Sequence, residues 1–184
     1  MDFGVTFPPG FDENSLIGPP IPQGVQEKFG LPNEVGVQIA AKFVEIYKSG
    51  NIYKAVKYDG IDEILAYLKN KGYKLGVATN KRFDVASDIL EHFGIRDYFD
   101  AIEGADFARK SFKPNMIRNH IKNFNIKNTK ILLVGDSNSD AVAALETGID
   151  YIEADYGFGF SKDHQYEGKK VGAIACPIEL KKYL

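Results

Sequence analysis

Residues 130–140 run Lys130-Ile131-Leu132-Leu133-Val134-Gly135-Asp136-Ser137-Asn138-Ser139-Asp140. An apolar run stops at Gly135-Asp136, and a second aspartate, Asp140, follows four residues on. A strand that ends in carboxylates delivers negative charge to the rim of a sheet, where α/β proteins keep their sites. Two clustered carboxylates repel unless a cation sits near them, and oxygen-rich clusters favour hard ions such as Mg²⁺. Asp136 and Asp140 are therefore candidate metal ligands. The competing reading is helix capping, because Asp, Ser and Asn all suit a helix N-terminus. Asp140 falls in the first turn of the helix expected next.

Two more segments end in groups that suit an anion. In Gly76-Val77-Ala78-Thr79-Asn80-Lys81 an apolar stretch gives way to a hydroxyl and an amide, with a helix expected shortly after. Thr79 could offer its Oγ, and the backbone its N–H groups, to a phosphate; it could equally be an ordinary helix cap. In Lys110-Ser111-Phe112-Lys113-Pro114 a lysine precedes a proline suited to a first helical turn. A cation there opposes the positive end of the helix dipole, which calls for an anion or carboxylate nearby. A solvated surface lysine is the alternative. A hydroxyl, a lysine and two aspartates on one rim would make a phosphate-plus-magnesium site, and phosphoryl transfer depends mainly on such positioning and charge neutralisation.

The elements that must carry these residues follow from periodicity. Helices are expected over 23–29 and 33–49, closed by Gly30 and Gly50. A further helix runs over 61–72, then a strand over 73–78 and a helix from Val85 to its stop at Gly94. A short strand over 98–102 precedes a helix from Pro114 through Phe124. The strongest strand is 130–134, followed by a helix over 141–147, a strand over 150–154 and an extended stretch over 171–176. Pro177 opens a terminal helix. Strands alternating with helices imply an α/β fold with a parallel, doubly wound sheet. Residues 1–57 hold six of the eight prolines and read as a small all-helical unit, with the core over 58–184.

Composition limits the function classes. The chain has 184 residues, 44% of them hydrophobic, a net charge of −2 and one cysteine. The charge gives no nucleic-acid or membrane-surface footprint. No apolar run has membrane length, no basic-then-apolar leader opens the sequence, and Cys176 allows no intramolecular disulfide. A cytoplasmic setting is expected, with Cys176 a packed thiol and with no oligomeric state implied. His92, His120 and His164 lack ligand spacing, which argues against zinc. His92 and His120 are expected at the surface or its boundary. Tyr98 and Phe99 are expected to fill the core or its interface with the helical unit.

Taken together, Val77-Ala78-Thr79-Asn80-Lys81, Lys113-Pro114 and Gly135-Asp136-Ser137-Asn138-Ser139-Asp140 resemble motifs II, III and IV of the haloacid dehalogenase superfamily. Leu16-Ile17-Gly18-Pro19-Pro20 and Tyr156-Gly157-Phe158-Gly159 resemble a cap segment and a loop of its phosphoglycolate phosphatase-like branch. The resemblance implies a Rossmann-like core, a helical cap over 1–57, Mg²⁺ and hydrolysis of a small phosphorylated metabolite through an aspartyl-phosphate. It implies that Thr79 binds phosphate, helped by the Asn80 backbone N–H, and that Lys113 stabilises the phosphoryl group. Asp136 would be a direct metal ligand. Asp140 would act through water or by orienting Lys113. A cap segment including Ile17 and Gln23 would select the leaving group.

The family's first motif, Asp-x-Asp-Gly-Thr on the first strand, supplies the nucleophile and the general acid/base. No Asp-x-Asp occurs among the 184 residues. Asp2, Asp59 and the Glu153/Asp155 pair do not replace it. Met1-Asp2-Phe3-Gly4-Val5 instead looks like the end of a first cap helix, entered partway through, and the first strand looks missing. Without it the strands at 73–78 and 130–134 would pair directly, admit another segment or leave open edges. Two readings follow: a Mg²⁺-dependent phosphatase whose chain as it stands is inactive, or a degenerate relative that binds phosphate or a partner without turnover. A third keeps the family but changes the reaction, to haloacid dehalogenation or phosphosugar mutation; the acidic fourth motif suits a metal site and speaks against dehalogenation.

Overall fold

The computed structural model describes residues 3, 5–12, 16, 20–106, 112–126, 130–158 and 169–184. Asp2, Ile17, Gly18, Pro19, Lys110, Ser111, Gly159 and His164, singled out above, lie outside the described residues. The chain divides into two units, Met1–Ala55 and Val56–Leu184.

The first unit is helical. Helix α1 spans Ile21–Phe29, with Pro22 in its first turn, where the missing N–H costs nothing. Gly30 ends it in the left-handed conformation at φ 65°, and α2 follows over Asn33–Lys48. Gly36 of α2 lies against the Pro22 backbone, so close that an added Cβ would sit 2.8 Å from its Cα. Val25, Ala40 and Ile52 are buried here. Phe7, Phe11 and Phe29 form an aromatic trio with centroids 5.2–5.6 Å apart.

The second unit alternates helix and strand. Its elements are α3 (Ile61–Asn70), β1 (Gly76–Arg82), α4 (Phe83–His92), β2 (Ala101–Ala105), α5 (Lys113–Asn123), β3 (Leu132–Gly135), α6 (Asn138–Thr147), β4 (Asp150–Ala154) and β5 (Lys170–Ile174). All strand pairings are parallel. They form two ladders, β1-β2 and β3-β4-β5. Strands β1 and β3 therefore do not pair with each other. A shared core links the ladders: Ile117 of α5 clusters with Ala141, Ala143 and Ala144 of α6 and with Tyr151. Ala78 of β1 and Leu133 of β3 pack against that cluster. The alanines have no exposed surface, and their small size lets α6 approach closely.

Several boundaries differ from the sequence expectation. Strand β1 begins at Gly76, ahead of which the Asp100 carboxylate takes the Leu75 N–H at 2.9 Å, and runs on to Arg82, which pairs with Ala105 beyond a bulge. The expected 98–102 strand starts at Ala101, since Arg96–Tyr98 closes a 3₁₀ turn. Strand β3 starts at Leu132, where pairing with Asp150 begins. The terminal segment Pro177–Tyr183 is 3₁₀ rather than α-helical. His120 is buried instead of lying at the surface. Its Nε2–H donates to the Val77 carbonyl at 2.8 Å, tying α5 to β1. Cys176 is half-buried.

Candidate functional site

The end of β3 is fixed from below. Tyr151, fully buried on β4, donates its hydroxyl proton to the Gly135 carbonyl at 2.8 Å. The chain then turns, and Asp136 emerges half-buried. Its Oδ2 accepts the Phe158 N–H at 2.9 Å. The loop after β4 thus grips the carboxylate that follows β3. Gly157 makes this possible: an added Cβ would lie 2.1 Å from the Asp136 Cβ.

Asp140 sits one turn into α6 and is buried. It closes a capping box with Ser137. Its Oδ2 accepts the Ser137 N–H at 3.1 Å and the Ser137 hydroxyl at 2.5 Å. Its Oδ1 accepts from the Lys113 ammonium. Lys113 also donates to Ser139 Oγ at 3.1 Å. The two charged side chains are only 12% and 7% exposed. Lys113 opens α5, where the helix dipole disfavours a cation, so the Asp140 charge offsets that cost. Gly135 leaves the room: a Cβ there would fall 2.3 Å from the Asp140 Cγ.

The third contribution comes from β1. Thr79 pairs with Gly104, but Arg82 pairs with the very next residue, Ala105. Asn80 and Lys81 therefore bulge from the ladder, a device that re-aims side chains near sites. The Lys81 N–H donates to Thr79 Oγ1 at 3.2 Å. Loss of water around the Lys81 ammonium lowers its pKa. The Asp136 charge opposes that shift and the Lys113 charge adds to it. Lys81 thus shares its field with both Asp136 and Lys113, while the Thr79 hydroxyl is bonded to the Lys81 backbone within the same bulge. Sequence reasoning gave Lys81 no role. Its signal was a lysine two residues after the strand-end hydroxyl, but only the bulge turns that spacing into proximity. Ser137 and Ser139 were likewise unassigned, as was the Gly157-Phe158 backbone.

The donor set limits what cation could bind. Among the described residues no group of three His, Cys, Asp or Glu side chains could enclose a metal. Both Asp140 oxygens already have partners, whereas one oxygen of Asp136 carries the Phe158 bond. Mg²⁺ commonly takes one or two carboxylates and completes its shell with water and substrate phosphate. Asp136 fits that role as a single protein ligand for an ion that arrives with phosphate.

Comparison with known proteins gives a consistent family. The model of a family described as haloacid dehalogenase-like hydrolase matches residues 11–154. A 5'-nucleotidase from Pseudomonas aeruginosa is 29% identical over 157 residues, covering 82% of this chain and 71% of that protein. A phosphoglycolate phosphatase from Nitrosococcus oceani is 31% identical over 143 residues, covering 77% of this chain and 63% of that protein. Among solved structures, one titled a predicted phosphatase from Clostridium acetobutylicum superposes with a TM-score of 0.80 at 30% identity. It covers 92% of this chain and 79% of that one. No helix among the described residues is long and apolar enough to cross a membrane.

Proposed function

The chain belongs to the haloacid dehalogenase-like hydrolase family, and on that footing we propose that its site binds the phosphoryl group of a small phosphorylated metabolite. The activity proposed for the whole protein is Mg²⁺-dependent phosphomonoester hydrolysis of the phosphoglycolate phosphatase type, in the cytoplasm. The phosphoglycolate phosphatase relative supports the substrate class.

The observation that carries this reading is the buried Lys113–Asp140 pair, whose aspartate lies four residues along the chain from Asp136 and whose lysine, like Asp136, is within the electrostatic reach of Lys81. Asp140 holds the Lys113 ammonium in one orientation, so the cation needs little rearrangement to meet a phosphoryl oxygen. Thr79 presents a hydroxyl on β1 just before its bulge, and the Asn80 N–H is the backbone donor proposed beside it. Asp136 is the proposed metal ligand, with its carboxylate orientation set by the Phe158 N–H. Asp140 acts on the metal only through Lys113 or through water. When bound, Mg²⁺ would offset the repulsion between the Asp136 carboxylate and the phosphate.

Turnover is a separate matter. With no Asp-x-Asp in the 184 residues, the covalent route has no nucleophile. This chain is therefore proposed to hold phosphate without hydrolysing it. The second reading is a non-catalytic phosphate- or partner-binding relative. The test is a p-nitrophenyl phosphate assay with Mg²⁺, paired with calorimetric titration of 2-phosphoglycolate. Binding without turnover is expected. Robust hydrolysis lost in Asp136→Asn would reveal another nucleophile, and absence of any phosphoester binding would remove the site reading.

A further inference from the structure

We propose that Lys81, turned out of the β1 ladder by the Asn80-Lys81 bulge, is a phosphate-binding cation in its own right and holds the anion without a metal. The inference rests on the reading that this site takes a phosphoryl group, and it adds a residue and a metal-free binding mode to it.

The charges at the rim differ in how far they are already committed. The Lys113 ammonium is tied to Asp140 and to Ser139. Asp140 in turn is tied to Ser137. That pair is close to neutral as a unit, so it adds little long-range attraction for an incoming dianion. Lys81 stands differently. Among the described residues its ammonium closes no ion pair, while Asp136 attracts it and Lys113 repels it. A phosphate beside Lys81 would supply hydrogen-bond acceptors to an ammonium that has no ion pair among the described residues.

The backbone supports the same placement. Two residues of β1 stand opposite no additional residue of β2, between the Thr79–Gly104 and Arg82–Ala105 pairs. The Thr79 hydroxyl, which accepts the Lys81 N–H at 3.2 Å, braces the bulge from within. Thr79 and Lys81 are therefore presented by one short rigid turn, so little ordering is needed when the anion arrives.

Asp136 then has two opposed effects. Without metal, its negative charge repels phosphate and competes for Lys81. With Mg²⁺ bound, Asp136 would hold the ion, whose charge would offset that repulsion. The metal-free state is thus the one in which the Lys81 contribution is read most directly.

The test is calorimetric titration of inorganic phosphate into the full chain, in EDTA and again in Mg²⁺. In EDTA, wild type is expected to bind, Lys81→Met to bind roughly tenfold more weakly, and Lys81→Arg to keep most of the affinity. Asp136→Asn is expected to bind severalfold more tightly than wild type in EDTA and more weakly in Mg²⁺. Lys81→Gln, polar and exposed, serves if Lys81→Met fails to fold. Phosphate binding seen only with Mg²⁺, or equal affinity of wild type and the neutral Lys81 variants in EDTA, overturns the role of Lys81 and leaves the site reading standing. No binding under either condition overturns both.

Discussion

The Cβ that an alanine would place at position 157 falls 2.1 Å from the Cβ of Asp136 and 2.4 Å from its Oδ2. The loop after β4 and the carboxylate after β3 therefore occupy one shared space, which only a glycine leaves open. The next residue, Phe158, uses that proximity to donate its N–H to Asp136 Oδ2. Gly157→Ala must push either the loop or the aspartate away. The Cβ of Asp136 is too near its own backbone to swing clear. Stability should fall by about 1–3 kcal/mol, as in other overpacked sites. Phosphate affinity in Mg²⁺ should fall as well. Urea unfolding alongside phosphate titration checks both, and a variant with wild-type affinity would show that the loop does not set the carboxylate.

The Lys113–Asp140 pair is buried and multiply bonded. Removing one partner strands the other charge. Asp140→Ala should destabilise by about 3 kcal/mol, because it exposes Lys113 to the helix dipole and leaves the Ser137 cap without its acceptor. The double variant Lys113→Met/Asp140→Leu should cost less than the sum of the two single changes. Chemical denaturation of the four proteins measures the coupling. Additive costs would mean that the two side chains do not act as a unit.

The parts of the fold that were readable in the sequence are those governed by local periodicity. The apolar run ending at Gly135-Asp136 and the helix closed by Gly148 both lie close to their expected positions. The family was also readable, because its motifs are short, ordered and rich in unusual residue types. Long-range contacts were not. Nothing around Leu75 announces that Asp100, 25 residues away, takes its N–H, and so the apolar pattern alone places the start of β1 too early. His120 shares α5 with the buried Met116 and Ile117, and its own burial depends on the bare face of Gly76, where an added Cβ would sit 3.2 Å from the imidazole. At the site, residue types suggested the chemistry. Only the three-dimensional structure gives the division of labour, in which Asp140 is consumed by Ser137 and Lys113.

Asp100 gives a pH-dependent expectation. The Leu75 N–H, aided by Lys74 and Lys69, holds its carboxyl well below the ordinary value of 3.8, at about 2. A carboxylate with a depressed folded-state pKa favours folding above its unfolded pKa, and loses that contribution as pH falls through the folded value. Stability should therefore decline between about pH 4 and pH 2, in the window set by those two values. Asp100→Asn should flatten that part of the profile and lower stability at pH 6. Urea midpoints measured across the range decide it. A variant with an unchanged acid slope would assign the slope to other carboxylates.

His120 bridges α5 and β1, the two elements that carry Lys113 and Thr79. Its Nε2–H reaches the Val77 carbonyl, and its ring stacks on Phe124 at 5.6 Å. Among the described residues its buried Nδ1 has no hydrogen-bond partner. The side chain therefore gains one hydrogen bond and its packing, and forgoes a second bond. His120→Ala removes both gains and opens a cavity beneath β1, at a cost of about 2–4 kcal/mol. His120→Phe keeps the stacking but loses the bond to Val77, while it also removes the unpartnered nitrogen. Its cost should be no more than about 1 kcal/mol. Thermal melts of the two variants make the comparison. If His120→Phe were as destabilising as His120→Ala, the hydrogen bond to Val77 rather than packing would be what joins this helix to the strand.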